Sequence, residues 1–356
     1  MWQGPEMQTL PVDANDLTPQ FLSEALGTEV TAVDLLDHAF ATNQRARIGL
    51  TYATPDAGPA TLFVKLAPID AAHREMVGAT GMGEREAQFY PDVAPTVNVL
   101  VPGCAFAASA DDRFVLLLED LGPRGARFAS NGEWGIPADA AAHALEDLAE
   151  FHARFESPQE RDRVMPWLAT PKASMSEATS GLMRWVLDEN AGKLSENYTA
   201  IGELYVEHHA WFDHIWHAGP ATYIHGDTHI GNVYLDDGRV GFLDWGLSRV
   251  STHLRDVSYF MTMSIDVDER RANERELLQG YLDALRAAGG VDISFDDAWA
   301  AHRLHASYTV VATFLAYMPS YAASDGVGLG NALLARSDAA LDDLAVVEAV
   351  RAALRA

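Results

Sequence analysis

The chain has 356 residues, 48% of them apolar and 21% charged, with a formal net charge of −26. That length exceeds one typical core and asks for two lobes or domains, while the excess of carboxylates disfavours nucleic acid and leaves a solubilising surface or a cationic substrate. Cys104 is the single cysteine, the first residues lack a basic-then-apolar leader, and the stretch from Val310 to Met318 is too short to span a bilayer, so a reducing, cytoplasmic setting with no membrane partner is expected.

After a polar lead, three runs rich in β-branched residues, Val30 to Phe40, Ala46 to Ala53 and Thr61 to Leu66, predict strands, with a turn at Pro55-Asp-Ala-Gly-Pro. A helix is predicted over Glu84 to Tyr90. Strands follow over Val97 to Phe106 and Phe114 to Leu118, around a turn at Asp111-Asp112. Past Gly122-Pro123 the chain turns mostly helical. The clearest helix starts near Pro137, read as a first-turn residue, and carries Ala141, Leu145, Leu148, His152 and Phe155 on one stripe. Further helices are predicted over Met175 to Asn190, Ile201 to His217, Glu269 to Ala288, Phe295 to Met318 and Ala332 to Arg355. A short β region, Val233 to Leu235 and Val240 to Leu243, interrupts them. The organisation expected is a nucleotide-binding sheet lobe over residues 1–119 and a helical catalytic and acceptor-binding lobe over 120–356.

The β region holds the most informative motif. Tyr223-Ile-His-Gly-Asp-Thr-His-Ile-Gly-Asn-Val-Tyr-Leu, followed by Gly241-Phe-Leu-Asp-Trp-Gly-Leu, sets Asp227 and Asn232 in one loop and Asp244 after the next strand. A carboxylate that takes a hydroxyl proton, followed by two oxygen ligands for Mg²⁺, is the order a phosphoryl-transfer site uses. A lone acidic loop with an Asx turn would explain one Asp-to-Asn spacing but not the Asp-Trp-Gly that follows. Lys65 is the sole lysine of the first lobe and ends an apolar strand, where an ammonium needs an anion such as a phosphate or must snorkel to water. Glu86 is the partner expected for it, with Glu84 as competitor. Leu118, Glu119 and Asp120 run from a buried strand into a polar connector whose backbone suits an adenine edge, or form a plain turn. The segment from His38 to Arg45 lies where a phosphate-covering loop would run. It has no glycine, so Thr42, Asn43 and Gln44 are the candidates to donate side-chain bonds there, with a plain hairpin turn as the alternative.

His225, Asp227 and His229 alternate in a pattern that also suits a zinc hydrolase, although no further ligand stands nearby. Asp256 reads as a helix cap. Trp185, Trp211, Trp216, Tyr308, Tyr317 and Tyr321 make the second lobe aromatic, as core or as pocket lining. Glu207, Asp213, Asp266 and Asp268 are the carboxylates that a polycationic acceptor would need.

Together these residues resemble the aminoglycoside phosphotransferase and choline kinase-like superfamily, with its ecdysteroid kinase-like and general phosphotransferase members as the nearest flavour. The resemblance runs from about Val30 to Phe260 and is carried by His225-Gly-Asp-Thr-His-Ile-Gly-Asn and Leu243-Asp-Trp-Gly. It implies an α+β, protein-kinase-like two-lobed fold with a small antiparallel-sheet N-lobe and a larger helical C-lobe. ATP would be the donor, Mg²⁺ the metal, and a small-molecule hydroxyl the acceptor. By that likeness Asp227 is the base, Asn232 and Asp244 the Mg²⁺ ligands, Lys65 the phosphate lysine, Glu86 its partner, and Phe114 to Leu121 the hinge strand. Thr228 and Ile230 stand where the superfamily favours leucine and proline. A nucleotide-binding pseudokinase is the alternative suggested by the missing glycines.

Overall fold

The computed structural model describes residues 10–40, 42–168, 176–318 and 326–355. Among them the chain packs as two compact units, one of residues 1–126 with 243–248 and the other of 127–242 with 249–356. The division falls at 126/127 rather than 119/120, and a six-residue segment from the middle of the chain returns to the first unit.

The first unit is built on a five-stranded antiparallel sheet ordered β1-β2-β3-β5-β4, from β1 (Val30–Phe40), β2 (Gln44–Tyr52), β3 (Thr61–Leu66), β4 (Cys104–Ala110) and β5 (Arg113–Glu119). Side chains alternate across a strand, so Ala46 and Ile48 of β2 join Leu62, Val64 and Leu66 of β3, with Val115 and Leu117 of β5, in one apolar cluster. Three helices accompany the sheet: α1 (Pro19–Leu26), α2 (Ala71–Thr80) and α3 (Met82–Asp92). The polar lead therefore contains a helix. Thr18 caps it through Oγ1, Pro19 opens it, and Gly27 at φ 67° closes it. The strand expected from Val97 begins only at Cys104, because Pro102 lacks a ladder donor and Gly103 follows it.

The second unit is mostly helical: α4 (Ala138–Arg154), α5 (Pro158–Val164), α6 (Ser176–Glu189), α7 (Glu196–Ile215), α8 (His253–Met263), α9 (Val267–Ala287), α10 (Phe295–His305), α11 (Tyr308–Thr313), α12 (Val327–Asp343) and α13 (Val346–Ala353). The stripe of α4 is buried throughout, while Pro137 is its N-cap rather than a first-turn residue. The long helix expected from Phe295 breaks at Ser307, whose Oγ bonds back to Leu304 O and receives Trp216 Nε1. The C-terminal helix breaks at Ala345, φ 46°. Met175 and Tyr321 lie outside the described residues. Short strands supply the rest: β7 (Ala221–Ile224) pairs with β10 (Arg249–Thr252), and β8 (Val233–Asp236) lies between β6 (Arg127–Phe128) and β9 (Arg239–Phe242). The loops after β7 and β9 carry the motif residues. Among the described residues no helix is long and apolar enough to cross a membrane.

Candidate functional site

In the first unit, β3 turns Lys65 to the face opposite Val64 and Leu66, where Arg45 is its neighbour across the ladder. Lys65 Nζ lies 2.5 Å from Glu86 Oε2 and 2.7 Å from Asp244 Oδ1. Arg45 Nη2 stands 3.6 Å from the other oxygen of Asp244. Lys65 and Glu86 are almost wholly buried, whereas Glu84, two residues earlier in α3, is exposed. Burial opposes the ammonium, but the charges of Asp244 and Glu86 outweigh it and raise the Lys65 pKa. Burial pushes the Glu86 carboxyl up to about 7, against the pull of Lys65 and with the repulsion of Asp244. Two carboxylates share one ammonium, so the less solvated of them gives up its proton reluctantly.

The returning segment explains how Asp244 reaches Lys65. Trp245 stacks on Phe89 of α3 with ring centres 3.9 Å apart, and Arg85 Nε donates to Gly246 O at 3.0 Å. A Cβ on Gly246 would lie 3.2 Å from Met82 O, so the smallest residue allows this approach. Asp244 itself sits at φ 58°, a left-handed conformation uncommon outside glycine. Aromatic stacking and the Arg85 bond hold the segment in that conformation.

The connector and covering segment differ from the simple expectation. Asp120 accepts two bonds from Arg47 and one from the Gly122 amide, Glu119 pairs with Arg124, and the Glu119 amide is donated to Gly103 O. In the β1–β2 turn Thr42 is exposed and Asn43 buried, and Gln44 points inward to the Val12 and Ala67 carbonyls. Ala41 lies outside the described residues.

In the second unit Asn232 Nδ2 donates to Asp227 Oδ2 at 2.8 Å and to Asp227 O at 3.0 Å. The Asp227 amide donates to His225 Nδ1, the Gly231 amide donates to His229 Nδ1, and His229 Nε2 lies 3.6 Å from Asp227 Oδ2. Both histidines thus shape the loop. Among the described residues no three His, Cys, Asp or Glu side chains gather as a metal cluster, so the zinc arrangement is not assembled there.

Asp256 does not cap its helix. It is the fourth residue of α8, completely buried, and accepts the amides of His225 at 2.6 Å and Gly226 at 2.7 Å, with His152 Nε2 3.4 Å away. Burial works against its ionisation, yet His152, His225 and the Gly226 amide hold its pKa below the ordinary value. Its spacing offered a signal: a carboxylate inside a helix whose other residues are apolar or buried needs a partner beyond that helix. Thr228, a departure from the superfamily pattern, donates to Asp256 O. Of the acidic candidates, Asp266 caps α9, Asp268 pairs with Arg271, Glu207 lies beside His208, and Asp213 is half-buried.

Solved structures with this fold include a candidate aminoglycoside phosphotransferase from Ralstonia eutropha JMP134, 11% identical, at TM-score 0.53 over 92% of this chain and 97% of that one. A mutant of aminoglycoside 2'-phosphotransferase-IIIa in complex with GDP is 15% identical at TM-score 0.50, over 92% and 95%. A choline/ethanolamine kinase family protein from Mesorhizobium loti is 15% identical at TM-score 0.47, over 89% and 92%. The fold is that of the kinase-like phosphotransferases: α+β, with a small antiparallel sheet unit and a larger helical one. Residues 40–289 match the ecdysteroid kinase-like family, and the chain belongs to it. No curated protein matches the chain in sequence.

Proposed function

We propose that this chain is a small-molecule kinase that moves the γ-phosphoryl group of ATP to an alcohol hydroxyl. The buried set of Lys65 with Glu86 and Asp244 carries the reading. An ammonium taken from water and held between two carboxylates is costly as mere structure, and it is the point charge that α- and β-phosphate oxygens require. Glu86 would orient the ammonium. In the second unit, Asp227 would take the acceptor's proton at Oδ1 as the hydroxyl oxygen bonds to the γ-phosphorus. The bond from that phosphorus to the β–γ bridging oxygen then breaks, and ADP leaves. Asn232 fixes the carboxylate through Oδ2 and leaves Oδ1 for the acceptor.

The donor chemistry fits Mg²⁺: the Asn232 amide oxygen and the Asp244 carboxylate are hard oxygens, and Asp244 already lies beside the cations Lys65 and Arg45. These two residues would hold the ion, which when bound supplies neutralisation of the phosphate charge. The first unit is read as the nucleotide unit and the second as the acceptor unit. Leu118, Glu119 and Asp120 are read as the adenine edge through backbone groups other than the Glu119 amide. Thr42 and Asn43 keep the weakest support, since one is exposed beside a segment without glycine and the other is turned inward.

Calorimetry with Mg-ATP, followed by a screen of alcohols for ADP release, tests the proposal. Asp227→Ala is expected to lower turnover by about 10²–10⁴-fold while nucleotide affinity stays near wild type. Near-wild-type transfer by that variant would overturn the mechanism. Mg-ATP binding without ADP release for any alcohol would favour the pseudokinase reading, which the glycine-free β1–β2 turn motivates.

A further inference from the structure

Arg255 stands on α8 among residues that are all buried, and is itself only 4% exposed. Its guanidinium carbon lies 3.2 Å from the centre of the Tyr308 ring and 5.6 Å from that of Tyr259. Among the described residues it makes no hydrogen bond and no ion pair. The other deeply buried arginines have protein acceptors: Arg270 has Glu274 and Asp343, and the two terminal nitrogens of Arg336 have the carbonyls of Gly132, Ala332 and Trp134, although its Nε is unpaired among the described residues. The hydroxyls of Tyr259 and Tyr308 likewise bond to no described residue. Five guanidinium N–H donors and two phenol hydroxyls therefore gather with no hydrogen bond to any described residue and no carboxylate paired with them. A ring face offsets only part of what a guanidinium loses on leaving water, so a charge in this position calls for an anion.

The cluster adjoins the proposed base within the same unit. The Tyr259 ring centre is 5.4 Å from that of Tyr308 and 6.3 Å from that of His229, whose Nε2 is 3.6 Å from Asp227 Oδ2. The Asp227 charge acts on both Tyr259 and Arg249, so a second cation shares the neighbourhood. Asp256, next in sequence, already serves two amides and His152.

We propose that Arg255, seated on the Tyr308 ring with Tyr259 beside it, reads an anionic group on the acceptor, so that the substrate is an alcohol bearing a carboxylate or a phosphate. This rests on the kinase reading and departs from the cationic acceptor that the acidic composition allowed. Of the carboxylates weighed for a cation, Asp266, Asp268 and Glu207 are engaged on their own helices. A planar fork suits either anion, since both present paired oxygens.

The test uses alcohols matched in skeleton and differing in charge: glucuronate, glucose 6-phosphate, glucose and glucosamine, with 4-hydroxyphenylacetate, tyrosol and tyramine as an aromatic set. Binding is measured by calorimetry without nucleotide, and ADP release with Mg-ATP. The anionic members are expected to bind at least about tenfold more tightly than the neutral ones, with the ammonium members weakest. The glucuronate and glucose 6-phosphate arms distinguish the two anions. Arg255→Gln should erase the preference, and Arg255→Lys should keep its sign with a smaller ratio. Should Arg255→Gln not fold, Tyr308→Phe, which keeps the ring and removes one donor, should narrow the ratio. Equal or tighter binding of neutral or ammonium members overturns the proposal. So does binding by no member, or a preference unchanged in a folded Arg255→Gln. Anion binding that depends on Arg255, with no Mg-ATP heat and no ADP release, would instead sink the kinase reading alone.

Discussion

Lys65 shows what one strand position can do. Its neighbours Val64 and Leu66 join an apolar cluster, and the same alternation turns the ammonium toward Glu86. Lys65→Met would leave two carboxylates facing each other with no buried cation between them. We expect a loss of about 3–5 kcal/mol in denaturant unfolding and loss of measurable Mg-ATP binding by calorimetry. Glu86 adds a pH signature. Its folded pKa, near 7, lies above the ordinary 4.5, so the folded form holds the proton more tightly. That contribution is fully present below pH 4.5 and declines as pH rises to about 7, by at most about 1.4 kcal/mol per pH unit. Glu86→Gln should flatten this slope. A wild-type stability curve that rises across the same window, unchanged in the variant, would show that Glu86 ionises normally.

Helices act here as brackets for loops. α8 lends the Asp256 carboxylate to the amides of His225 and Gly226, so the loop carrying Asp227 hangs from a helix 30 residues downstream. Asp256→Ala would strand two buried N–H groups and should cost about 3–5 kcal/mol, with kcat falling more than KM rises. Because its pKa is depressed, Asp256 stabilises above the ordinary 3.8 and loses that contribution on acidification below it. Helix α3 depends instead on close approach. A Cβ at Gly83 would fall 2.1 Å from the Phe114 ring of β5, so Gly83→Ala must push α3 off the sheet and carry Glu86 with it. About 1–3 kcal/mol of destabilisation is expected, together with weaker Mg-ATP binding. An unchanged denaturation midpoint would show that Phe114 yields freely.

For the molecule as a whole, the proposed chemistry is divided between two packing units, with Lys65, Glu86 and Asp244 in one and Asp227, Asn232 and Arg255 in the other. Variants should separate accordingly. Lys65→Met should abolish nucleotide binding while a carboxylate-bearing alcohol still binds, and Arg255→Gln should do the reverse, each measured by calorimetry with one ligand at a time. Loss of both ligands in either folded variant would contradict the division of labour. Most of this layout is legible in the amino-acid order. The strands β1, β3 and β5, the stripe of α4, and the single loop that carries Asp227 and Asn232 follow from alternation, helical spacing and a short motif.

Other features stay hidden for a physical reason. Local patterns record which face of an element is apolar, and so they locate strands, helices and a lysine with no water around it. They carry no record of which distant groups meet. That Asp244 docks on α3 through Trp245 and Phe89, that Asp256 grips a loop instead of capping a helix, and that Arg255 is buried on Tyr308 without an acceptor all depend on contacts between residues tens of positions or more apart. The chemistry was written in residue types, and the packing of non-neighbours assigned each type its partner.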